Sequence, residues 1–159
     1  MGVTPRIGFA DETTGAAVDR QSVEFMFLAD RELIADRVIG AMNVLYEPGR
    51  TRLRGSGETE RGSTLGAGAA LAAQLSPGVF LGAETRYLRR YEGLALNSFG
   101  GHALYFGPTL YAKLKGEWWA SLAWNAQVWG TAEARTGALD LAHFEQHQVK
   151  LRVGVSFGP

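Results

Sequence analysis

Cysteine is absent from this chain of 159 residues. Disulfides and thiolate metal sites are therefore excluded. Long hydrophobic runs are absent as well: no stretch reaches the ~18 consecutive apolar residues of a membrane-crossing helix. Barrel strands remain possible, because they cross a bilayer as short alternating segments. Neither sign of charge is in excess, with 16 basic and 16 acidic residues. No broad positive field is expected, and hence no nucleic-acid partner. Histidine is scarce, at three residues. The first residues, Met1-Gly2-Val3-Thr4-Pro5-Arg6, lack the basic start and apolar core of a secretion signal. Arg6 also stands where myristoylation needs Ser or Thr. An exported protein of this sequence is expected to carry its signal ahead of Met1, as a removed leader or within a longer gene product.

What is present is alternation. Hydrophobic residues make up 46% and charged residues 20%, which excludes wholesale disorder. Apolar residues recur at i, i+2, i+4 over residues 22–29, 37–47, 64–75, 79–90, 103–114, 118–129 and 146–157, and more weakly over 3–10. The last of the main segments is the clearest. Val149, Leu151, Val153, Val155 and Phe157 share one face, and Lys150, Arg152, Gly154 and Ser156 share the other. Ala67–Ala73 is alanine-rich, as a helix would be, but Gly66, Gly68 and the Leu65/Leu71/Leu75 alternation favour strand. The chain is expected to be all-β, antiparallel and a single domain over residues 1–159.

Connections are expected to alternate in length. Residues 11–21, 47–63, 91–102 and 131–145 read as long, and 30–36, 76–78 and 115–117 as short. Ser76-Pro77-Gly78 has proline and glycine where a turn wants them. Outer-membrane barrels have this asymmetry, with brief turns on one side and extended loops on the other. Their apolar faces point at lipid and their polar faces inward, the reverse of a soluble barrel. On that reading Leu71, Leu81, Leu110, Leu122 and Val153 face outward. Glu24, Asn43, Glu84, Arg86, Lys113, Asn125, Gln127, Lys150 and Arg152 line the interior. Tyr46, Tyr87 and Phe106 form an aromatic girdle at one rim, and Phe27, Trp118 and Phe157 one at the other.

These features together resemble a Gram-negative outer-membrane β-barrel. The terminal strand Leu151, Val153, Val155, Phe157 resembles the assembly signal of that superclass, although Gly158 and Pro159 follow the aromatic residue. Residues 79–91 with 99–111, and 144–157, look like a group of uncharacterised proteobacterial barrel proteins, in which such a segment is the C-terminal part of a larger barrel. The resemblance implies an up-and-down transmembrane barrel of about eight strands, or the C-terminal part of a larger one. It implies an outer-membrane location, with contacts to membrane lipid and lipopolysaccharide and to the barrel assembly machinery through the last strand.

Chemistry is sparse. His143, Glu145 and His147 stand two residues apart and would share a face if extended, a candidate metal or acid–base set. A loop or rim position is the plainer reading, and no metal, cofactor or catalytic residue is expected. His102 is followed by Ala103 and Leu104, without the His-x-Ser pattern of lipid A deacylases. Glu84, Arg86, Lys113, Lys150 and Arg152 can form a network filling a narrow interior, or line a channel in a wider one. Arg50, Arg52, Arg54 and Arg61 fall in one expected loop, where they are solvated or pair with lipopolysaccharide phosphates. The expected role is structural, anchoring or passively porin-like. The alternatives are a soluble lipocalin-like barrel around a hydrophobic ligand and a lipid A-modifying barrel enzyme.

Overall fold

Period-two patterning becomes strand along nearly the whole chain. The computed structural model describes residues 1–11, 14–133 and 137–156. Its strands are β1 (Gly2–Ala10), β2 (Ala17–Ile34), β3 (Val38–Leu53), β4 (Thr59–Ser76), β5 (Val79–Glu92), β6 (Ser98–Lys113), β7 (Trp118–Ala132) and β8 (His147–Val155). Each pairs antiparallel with the next, so spatial order equals chain order. The expected all-β, up-and-down architecture is what forms, and the weak first segment is a full strand. Residues 67–73 lie within β4. Because neighbours in sequence pair directly, tight reversals suffice. At residues 35–37 and 77–78 the chain turns through Asp36 (φ 55°) and Gly78 (φ 80°), in the left-handed region that a tight turn demands.

The expected long connections are shorter than the sequence suggested. The first spans residues 11–16, the second 54–58 and the third 93–97; only 133–146 is long. β3 and β4 stay paired beyond the apolar band, with Arg50 opposite Arg61 and Arg52 opposite Thr59. Both faces are polar there, so hydrophobic alternation disappears while backbone pairing continues. Arg50, Arg52 and Arg61 are therefore strand residues, not loop residues. The length asymmetry survives in muted form, because the three reversals at the other end, 35–37, 77–78 and 114–117, are tight.

The sheet curls so that one face looks inward. The β6 ladder with β7 passes from Phe106↔Ala126 to Thr109↔Ala123 without a change of register. Pro108, between them, has no N–H to give. A Cβ on Gly107 would collide with the Trp124 carbonyl of β7, so only glycine allows that approach. The register of this ladder shifts once, where Leu104 pairs with Trp129 and Tyr105 with Gln127, leaving Val128 as the extra residue. No pairing joins β1 to β8 among the described residues, so the eight strands form an open half-barrel.

Burial is inverted relative to a water-soluble sheet. Glu24 is 4% exposed and Asn125 2%, whereas Phe27, Met42 and Leu151 are 61%, 63% and 68% exposed. The apolar core is small: Leu45, Leu88, Ala103, Tyr105 and Phe144. Large-to-small changes therefore have few core positions to act on, and backbone approaches matter more. Replacing Gly107 with Ala is expected to destabilise the folded state by about 1–3 kcal/mol through overpacking. Gly55, where a Cβ meets nothing within 4 Å, should tolerate Ala with little change. Denaturant unfolding of both variants, followed by circular dichroism, checks the difference.

Candidate functional site: the polar inner face

Two glutamates anchor the inner face of β2 and β3. Glu24 and Glu47 are 4% and 9% exposed. The edge strand β1 reaches both through one side chain. Arg6 donates from Nη2 to Glu24 Oε2 at 2.5 Å, and its Nη1 lies 3.8 Å from Glu47 Oε2. Arg20 Nη2 is 3.6 Å from Glu47 Oε1, to which the Ser22 hydroxyl donates at 2.6 Å. Buried carboxylates are tolerated when cations and hydrogen-bond donors surround them in this way.

Across the inner space, β5 faces β7 and β8. Asn125 donates to Glu84. Arg86 donates to Gln148 Oε1 at 2.7 Å, and Gln148 in turn donates to Glu145 Oε2 at 3.0 Å. Glu24, Asn43, Glu84, Arg86, Lys150 and Arg152 line a cavity of about 270 Å³. At its short-turn end Phe80, Tyr111 and Trp119 form a run of rings, each neighbouring pair 6.1 Å apart. Gly154 on β8 makes room for the Trp119 indole, since a Cβ there would lie 2.5 Å from the ring.

The long connection closes the other end. Residues 137–146 fold back onto the inner face. Phe144 joins the core beside Tyr105, whose hydroxyl donates to the Glu145 carbonyl at 2.6 Å. Asp140 is fully buried. Its Oδ1 accepts the backbone N–H of Ala142 at 3.2 Å and of His143 at 3.1 Å, and the His143 ring Nδ1 lies 3.1 Å away. Gln127 donates to the Asp140 carbonyl at 3.2 Å. The sheet receives this segment through a glycine: a Cβ on Gly101 would collide with the Asp140 carboxylate. A wider space of about 610 Å³ remains beside the segment, lined by Arg6, Arg20, Glu47, Arg86, Arg90 and Glu145 among others.

Of the residues expected to line the interior, Glu24, Asn43, Glu84, Arg86, Lys150 and Arg152 meet around the smaller cavity. Asn125 and Gln127 are buried in the contacts above. Lys113 stands exposed at the short-turn rim, its backbone N–H bonded to the Gly78 carbonyl at 2.7 Å. On the outer face, Phe27, Phe106 and Trp118 are exposed. Tyr46 donates its hydroxyl to the Leu94 carbonyl at 2.7 Å, and Tyr87 lies 5.7 Å from the His102 ring. Phe27 and Tyr87 share one rung of pairings through Val44 and Ala67, although they were expected at opposite rims. Phe157 lies outside the described residues. His143, Glu145 and His147 do not share a face. Residues 141–144 are turn rather than strand, so His143 turns to Asp140 while His147 stacks on Trp124 at 5.9 Å. Among the described residues no three acidic or histidine side chains are grouped to hold a metal.

Sequence reasoning missed Arg6, Arg20 and Asp140. The first two alternate correctly with their strands, so the pattern could have found them. Asp140 lay in an expected loop, where nothing local marks a residue for burial. Replacing Phe144 with Ala is expected to cost about 3 kcal/mol at that contact. It should release residues 137–146 while leaving the sheet intact. Hydrogen exchange should then lose protection in that segment, with strand amides unchanged.

No curated protein and no solved structure matches the chain. Residues 1–157 match the model of a family of unknown function, DUF6662. With nearly its whole length matched, the chain belongs to the DUF6662 family.

Proposed function

We propose that the chain is a wall of an outer-membrane β-barrel, with a structural, anchoring or passive porin-like role and no catalytic activity. The inverted burial carries this reading. A sheet that hides Glu24, Glu47, Asn125 and Gln127 while exposing Phe27, Met42, Leu71, Val149 and Leu151 suits lipid outside and water or polar side chains inside. A lipocalin-like barrel would need the opposite face turned inward. Within hydrocarbon every strand N–H and C=O needs a partner. The free edges of β1 and β8 therefore pair in the membrane, with each other or with further strands of a larger barrel. β8, with Val149, Leu151, Val153 and Val155 on the lipid side, is the strand offered to the barrel assembly machinery.

On the outer face Arg50 and Arg61 lie opposite each other on β3 and β4. Like charges so placed repel. The phosphates of lipopolysaccharide are the partners that relieve this repulsion at the loop-side rim. The interior of the half-barrel is occupied by residues 137–146 at that end and by Phe80, Tyr111 and Trp119 at the other. If β1 pairs with β8, the chain by itself is not an open pore.

Three measurements test this. Leu122 sits mid-strand on the outer face, 44% exposed, between Leu110 and Leu151. Its replacement by Arg is expected to cost about 2–4 kcal/mol in a bilayer if it lies near the midplane. A spin label at Leu122 that is water-accessible, with one at Asn125 shielded by lipid, overturns the assignment. In planar bilayers the refolded chain should show no steady conductance. The Phe144→Ala variant should show intermittent openings.

A further inference from the structure

One cation on the outer face is held between aromatic rings. Arg89 on β5 alternates with Tyr87 and Tyr91 on the side that carries Leu81 and Thr85. Its guanidinium carbon lies 4.8 Å from the Phe99 ring centroid and 5.5 Å from that of Tyr91. The two rings hold the group by cation–π attraction. Among the described residues Arg89 makes no ion pair or hydrogen bond, and its Nε is buried without a partner. The residue as a whole is half-buried, so part of the side chain reaches the surface. Its cross-strand neighbour His102 is packed among Tyr87, Phe99 and Trp129, with rings 5.7, 5.8 and 4.5 Å away. A planar fork of donors is thus fixed in place by aromatic rings and left unspent.

A second feature of the same face fits the same ligand. An apolar groove of about 600 Å³ runs past Met42, Ala69, Leu71, Ala83, Thr85 and Phe106. Thr85 is four residues below Arg89 on the same face of β5, roughly 13 Å along the strand. The groove crosses the strands from Phe106 on β6 to Asp30 and Arg31 on β2, and its β5 end at Thr85 is the part nearest the cation.

We propose that Arg89 and this groove form a binding site for a membrane lipid bearing a phosphate headgroup. The phosphate sits on the Arg89 terminal nitrogens beside the Tyr91, Phe99 and Trp129 rings, and one acyl chain lies in the groove. The guanidinium fork matches two phosphate oxygens, which an ammonium cannot do. The site rests on the membrane reading proposed above.

The experiment uses the full chain folded in maltoside micelles, which contain no phosphate. Phosphatidic acid with brominated acyl chains is titrated, and quenching of tryptophan fluorescence is followed, with Trp129 4.5 Å from His102 as the local reporter. Saturable binding is expected, weakened about tenfold in Arg89→Gln. Arg89→Lys keeps the charge without the fork, and it should fall between the two. Arg52→Gln should match the parent, and circular dichroism should be unchanged in all. Brominated diacylglycerol, which has no phosphate, should bind at least tenfold more weakly than phosphatidic acid. Inorganic phosphate at millimolar concentration should not compete. If it competes fully, the site takes free phosphate and the lipid proposal is overturned. Equal phosphatidic acid binding by parent and Arg89→Gln also overturns it. Flotation of the chain with vesicles is a separate readout: loss of flotation refutes the membrane reading, whereas flotation with no Arg89 effect refutes only the site.

Discussion

Burying carboxylates on the concave side of a sheet is the constraint on which the rest of this structure depends. Glu24 and Glu47 can lie nearly inaccessible only because Arg6 and Arg20 reach them and Ser22 donates to Glu47. Arg6 ties the edge strand β1 to β2 by a side-chain contact in addition to the ladder. Once that face is committed to polar groups, the apolar residues of the same strands must face the other way. The curl of the sheet, the exposure of large apolar side chains and the small size of the apolar core all follow.

The inner space is filled by two different devices. At the short-turn end the strands themselves supply Phe80, Tyr111 and Trp119, with Gly154 giving way to the indole. At the loop end part of the filling comes from a connection, which the strands receive at Gly101 and Gly130. Asp140 organises its turn by accepting two backbone N–H groups, which leaves Phe144 beside Tyr105 and Leu88. Between them lies the cavity lined by Glu84, Arg86, Lys150 and Arg152. A wall of this kind suits a barrel whose interior is held by side chains rather than by a continuous water column.

The outer face has its own division. Its middle is a plain apolar band, while its loop side gathers arginines and rings: Arg50 opposite Arg61, and Arg89 between Tyr91 and Phe99. Cations at that level are unusual neighbours for an apolar surface unless something anionic meets them.

Strand number, neighbour pairing and the sidedness of Glu24, Asn125 or Leu122 were legible in the sequence, because a strand's period of two sorts side chains without reference to anything distant. Strand ends were not legible. Where both faces turn polar, as at Arg50–Arg52, the alternation stops although the backbone goes on pairing. Nor could a period of two say that residues 137–146 fold inward. That depends on Gly101 leaving space for the Asp140 carboxylate from a strand far away in sequence. The sequence by itself determined which residues share a face. Only the tertiary structure decided which buried charges meet, that residues 137–146 of the long connection fill the interior and that β1 and β8 do not pair among the described residues, because each depends on distances between strands that no local pattern encodes.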